Sequence, residues 1–168
     1  MTFIYCLIRY LTFPGAYVRA MWEQTVLRRT KTVVEDNRYL RDDELSGHVE
    51  HEFTEKAQGS FALCFVPLFL NCVGIFSLLI FPSVIGASSL AATILSSVSV
   101  WFAFSLFCNS FPLIEDAMNM LEKVYKKGNI LQKIIYAPGA AICFVGAYLE
   151  RYSITFIIGI IGIVLIFS

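Results

Sequence analysis

Apolar residues in this chain gather into long runs without charge, and the polar residues gather between them. From about Ser60 to Phe81, and again from about Ala87 to Phe111, there is no Asp, Glu, Lys or Arg. As helices, both runs are long enough to cross a hydrocarbon core of about 30 Å. Pro82, Ser83 and Gly86 stand between them and supply turn chemistry. The pattern therefore predicts a transmembrane helical hairpin over 60–111.

Two shorter apolar runs follow, Ile130–Leu149 and Ser153–Ser168, separated by Glu150 and Arg151. Gly146, Gly159 and Gly162 would let neighbouring helices approach closely. The run from Thr2 to about Val18 is interrupted by Arg9 and by Pro14-Gly15, where the missing backbone donor favours a bend. It reads as a broken span, a re-entrant element or an interfacial helix.

The fold class expected is all-α: a polytopic helical membrane protein with four or five membrane segments and a short polar cytoplasmic insertion. One membrane domain covers 1–168. Within it we distinguish a first helix (1–27), a polar segment (28–58), the hairpin (60–111), a turn and helix start (112–129) and C-terminal membrane helices (130–168). The polar segment is too short for a core of its own and is expected to fold as a hairpin or loop against the helices.

Composition agrees. The chain is 57% hydrophobic and 15% charged, with mean hydropathy +0.68, against about 45–50% and about 25% in soluble domains. Net charge is zero, and no long basic tract suggests nucleic-acid binding. Arg28, Arg29, Lys31, Arg38, Arg41 and Lys56 flank one end of the hairpin, and Lys123, Lys126, Lys127 and Lys133 follow the other. Basic residues beside spans favour the cytoplasm, so 28–58 and 113–129 are expected there, in a multi-pass protein of the cytoplasmic membrane. The N-terminus lacks a basic n-region and an A-x-A site, and reads as part of the mature chain. Five cysteines at irregular spacing suggest packing residues rather than a disulfide framework.

Three places carry candidate chemistry. Arg19 and Glu23 are four apart and share one helix face, as an interfacial ion pair or as a polar site inside the bundle. Gly47-His-Val-Glu-His-Glu52 holds both histidines of the chain. His48, His51 and Glu52 are candidate metal ligands, since imidazole and carboxylate suit zinc, although neither zincin spacing is present. The competing readings are a solvated loop and a pH-responsive contact. In Ser110–Asn119, Glu115 and Asp116 look like acids in the first turn of a helix, with Asp116 alternatively turned back toward the first segment. Asn71, inside the second run, is an amide expected to bond to another helix. P-loop, G-x-G-x-x-G and G-x-S-x-G motifs are absent.

Taken in order, LTFPG (11–15), GHVEHE (47–52), VPLFLN (66–71) and SFPLIEDAMN (110–119) resemble a group of small prokaryotic membrane proteins related to site-2-protease-type zinc metallopeptidases. The resemblance runs from about Leu11 to Asn119. It implies a zinc motif, H-E-x-x-H, after FPG. That slot here holds Arg19, Ala20, Met21, Trp22 and Glu23. Arginine cannot ligate zinc, and alanine cannot act as the base. The resemblance therefore implies a catalytically inactive scaffold, with no catalytic residues, in which Arg19, Glu23 and Asp116 form a polar cluster replacing the zinc site. Such a scaffold would bind a membrane protein partner or a transmembrane segment. It would need no cofactor. The alternatives are a zinc-dependent membrane hydrolase using the 48–52 cluster, and a structural or transporter-associated subunit. The scarcity of charge in the hairpin disfavours a conducting role.

Overall fold

The computed structural model describes residues 2–36, 39, 48–86 and 89–167. Arg38, Arg41 and Gly47 of the polar segment, and Ala87 and Ser88 of the turn, lie outside the described residues. Among these, seven helices and one short strand pair form the fold: α1 (Thr2–Leu11), α2 (Phe13–Thr30), β1 (Val34–Asp36), β2 (Glu50–His51), α3 (Ala57–Ile85), α4 (Leu90–Cys108), α5 (Ile114–Lys127), α6 (Ile130–Arg151) and α7 (Ile154–Phe167).

Three helices, α3, α4 and α6, are long and apolar enough to cross a membrane. The shorter α7 is also apolar, but its 14 residues rise only about 21 Å. Large apolar side chains such as Phe76, Ile80, Val84, Ile94 and Ile142 remain exposed, which suits lipid contact rather than water.

The expected hairpin is present with shifted limits. Pro82 was expected in the turn, yet α3 continues through it to Ile85. The helix ends at Gly86, whose φ of 66° is left-handed and favours glycine. A proline lacks only its own N–H, and the Pro82 carbonyl still accepts from Gly86 N at 3.1 Å. At the other end α4 stops at Cys108 rather than near Phe111. Phe111 precedes Pro112, and a residue before proline is disfavoured in helical geometry.

The first apolar run is broken, but at Thr12 rather than at the Pro14-Gly15 bend the sequence suggested. Thr12 separates α1 from α2, and Pro14 occupies the first turn of α2, where the missing donor costs nothing. Gly15 is required for packing. A Cβ there would collide with the Ser105 carbonyl of α4, and its N–H donates to Ser105 Oγ at 2.7 Å.

Only the first half of α3 is buried, through Ser60, Leu63, Cys64, Pro67, Leu68 and Asn71. There α2, α5 and α6 pack around it. One apolar cluster joins Cys64 and Leu68 to Met120, Val124, Ala140 and Cys143. A second joins Ala20, Val26 and Leu27 to Leu63 and Val49. Helices α2 and α5 turn one face each into this packed end, and the polar segment closes over it with β1 and β2, paired antiparallel.

Candidate functional site

The buried residues of α2 are Gly15, Ala16, Arg19, Ala20, Glu23, Val26 and Leu27. This is one helical stripe with the 3.6 period, and it carries two charged side chains into the interior. The small residues Ala16 and Ala20 let α2 lie close, so Arg19 and Glu23 are 0% and 1% exposed. Helix α5 does the same with Asp116, Ala117, Met120 and Val124. Strand β2 supplies His51.

These elements bring Glu23, His51 and Asp116 together. One donor atom from each lies within 4.8 Å of the other two. His51 Nε2 is 3.6 Å from Asp116 Oδ1, and His51 Nδ1 is 2.8 Å from the Glu52 carbonyl oxygen. A carbonyl only accepts, so Nδ1 carries the hydrogen. In a neutral ring the Nε2 lone pair would then face the Asp116 carboxylate, a contact that a positive charge on the ring makes favourable. A proton on Nε2 supplies that charge. Burial works against the charged imidazolium, but the hydrogen bond to Asp116 and that residue's charge outweigh it and raise the His51 pKa to about 9.

Glu23 is held by other groups. Its Oε2 accepts the Val49 N–H at 3.1 Å and lies 3.4 Å from His48 Nδ1. Burial opposes ionisation of Glu23, but His48, Arg19 and the Val49 amide together bring its pKa below the ordinary value. Among the described residues His48 Nδ1 has no hydrogen-bond partner, so its pairing with Glu23 is an electrostatic contact.

Sequence-derived sites are redistributed by this geometry. In the cluster expected from Arg19, Glu23 and Asp116, the two carboxylates converge, and Arg19 acts on Glu23 through its charge. Among the described residues, none of its three guanidinium nitrogens has a hydrogen-bond partner. Of the metal set His48, His51 and Glu52, only His51 belongs to the converging group. The Glu52 side chain is exposed, because the residue after His51 points away along the chain. Asn71 is buried and donates to the Asn109 carbonyl at the end of α4, at 3.4 Å.

Sequence reasoning missed two contacts. Glu23 with His51 spans 28 positions and no local period links them. Arg9, read only as an interruption, is buried. Its Nη1 donates to Asn109 Oδ1 at 3.0 Å and lies 3.8 Å from Glu150 Oε1. Glu150 Oε2 in turn accepts the Phe111 N–H at 2.9 Å. Comparison of the chain with protein-family models, with curated proteins and with solved structures finds no match.

Proposed function

We propose that this is an integral membrane protein whose packed end holds a divalent metal, zinc by its donor set, between Glu23, His51 and Asp116. The observation that carries this reading is the convergence of the three donors from α2, β2 and α5. The donor chemistry fits. Carboxylate and imidazole both bind zinc, and a ligating histidine ordinarily donates its other ring N–H to a carbonyl or carboxylate. His51 makes that bond to the Glu52 carbonyl. Two carboxylates also balance a divalent charge within the buried site.

The scaffold reading accounts for Ala20. It lies buried at the slot where the resembling peptidases carry a base, so the site would bind a ligand of the membrane or of a partner without peptide turnover. A hydrolytic reading stands second, favoured by His48, which is buried beside Glu23. A bound metal would polarise water or a carbonyl, and His48 would be the group placed to take up a proton. The four or five membrane segments belong to the same proposal and rest on the apolar runs, and the cytoplasmic placement of 28–58 and 113–129 rests on the distribution of Lys and Arg.

Competition with a zinc chelator on detergent-purified protein tests the site. Asp116→Asn and His51→Ala should each weaken zinc binding by more than the roughly 10–100-fold that outer-shell changes cost. His48→Ala should stay within that range. Equal zinc affinity in the wild type and both ligand variants would refute the site. Hydrolysis of unfolded or transmembrane peptides that disappears in His48→Ala would favour the second reading over the first.

A further inference from the structure

Among the described residues, Arg19 is the largest side chain that is fully buried. Its guanidinium keeps its charge and carries five N–H donors in a planar fork, yet none of its three nitrogens has a hydrogen-bond partner among those residues. Buried donors in native proteins are paired in the great majority of cases, and an exception calls for an account. Arg19 lies one turn before Glu23 on the buried stripe of α2, where Cβ atoms are about 5–6 Å apart. Its charge acts on Glu23. The Cys64 thiol of α3 lies in the field of Asp116, Arg19 and Glu23 together. The guanidinium thus adjoins the donors that converge in Glu23, His51 and Asp116.

We infer that Arg19 binds the carboxylate of a small monovalent ligand that also occupies the open position of the metal. This rests on the metal reading above, and it names the ligand of that site. Three protein donors leave zinc a fourth position. With His48 and His51 as neutral imidazoles, Glu23 and Asp116 neutralise a divalent ion. Glu150, which the Arg19 charge also reaches, faces Arg9 across 3.8 Å, so those two offset each other. Arg19 then leaves one positive charge over, and one monovalent anion cancels it. A carboxylate suits both neighbours, since its two oxygens match the guanidinium fork and carboxylate oxygen is a zinc ligand. Size follows from enclosure. Arg19 is 0% exposed, and its charge reaches Cys64 of α3 and Cys143 of α6, so a ligand on it is closed in between helices.

The test loads the detergent-purified full chain with cobalt(II), a spectroscopic stand-in for zinc, and follows the visible absorption of the metal while sodium acetate is added. Acetamide, which lacks the charge, and hexanoate, which carries the same group on a longer chain, are titrated in parallel. The wild type should show a saturable change with acetate, none with acetamide and a weaker response to hexanoate. Arg19→Gln should keep its metal and need about tenfold or more acetate, the loss expected for hydrogen bonds between charged groups. Arg19→Lys keeps the charge without the fork and should fall between the two; it decides the matter if Arg19→Gln does not fold. Bound metal whose spectrum ignores acetate, or equal acetate affinity in the wild type and the Arg19 variants, would overturn the inference while leaving the metal site standing. Equal response to acetamide would overturn recognition of charge, and equal affinity for hexanoate would overturn the enclosed site. A wild type that takes up neither cobalt nor zinc shows no metal spectrum before any acetate is added, and it would overturn the metal reading and this inference with it.

Discussion

Arg9 and Arg19 show how little a residue's type says about its partners. Both are arginines in largely apolar company, and the sequence marked Arg19 as one member of a polar cluster and Arg9 only as an interruption. The geometry points the other way. Arg9 bonds Asn109 and sits beside Glu150, whereas Arg19 has no hydrogen-bond partner among the described residues. Removing one partner of a buried ion pair costs on the order of 3–5 kcal/mol. Arg9→Ala should therefore lower the melting temperature in detergent more than Arg19→Ala, and the reverse order would contradict this assignment. His51 gives a second residue-scale prediction. Its pKa rises from an ordinary value near 6.5 to about 9, so the folded state binds the extra proton. In chelator-stripped protein its contribution is full below pH 6.5 and is lost as pH rises through about 9. Thermal melts across that interval should show declining stability, with a flatter profile in His51→Ala. The sequence disclosed the chemistry of these side chains but not the orientation of their ring nitrogens, which is set by the Glu52 carbonyl.

At the scale of elements, helices were legible because hydrophobic runs, prolines and acidic first turns act locally. The hairpin 60–111, a break near Pro14 and the start of α5 at Ile114 all follow from such signals. Limits were less legible. Pro82 stays in α3, which ends instead at Gly86, whose N–H bonds the Pro82 carbonyl, and α4 yields early to the Phe111–Pro112 restriction. Gly15 is where one element's placement depends on one missing atom. Gly15→Ala would press a methyl group into the backbone of α4 and should destabilise the protein by about 1–3 kcal/mol, read as a fall in melting temperature. An unchanged melt would mean that α2 and α4 do not approach as closely as described.

Across the whole molecule, the polar chemistry gathers at one end of an otherwise lipid-exposed bundle. The stripes of α2 and α5 carry Glu23 and Asp116 inward, and the strand pair sets His51 over them. Glu23 and Asp116 were visible in the sequence, Glu23 by its spacing from Arg19 and Asp116 as a first-turn acid of α5. The place of His51 depends on how the polar segment folds back, and nothing local in residues 47–52 encodes that. Helix count was readable to the extent that three long apolar helices are present, since length and charge decide that property.

The most direct measurement is the metal content of the detergent-purified chain by elemental analysis, beside His51→Ala and Asp116→Asn. The account predicts about one zinc per chain in the wild type, the number for a single site of this donor set, and its loss in both variants while they remain folded. A wild type without metal after purification in zinc-supplemented buffer, or variants that keep it, would contradict the proposed site.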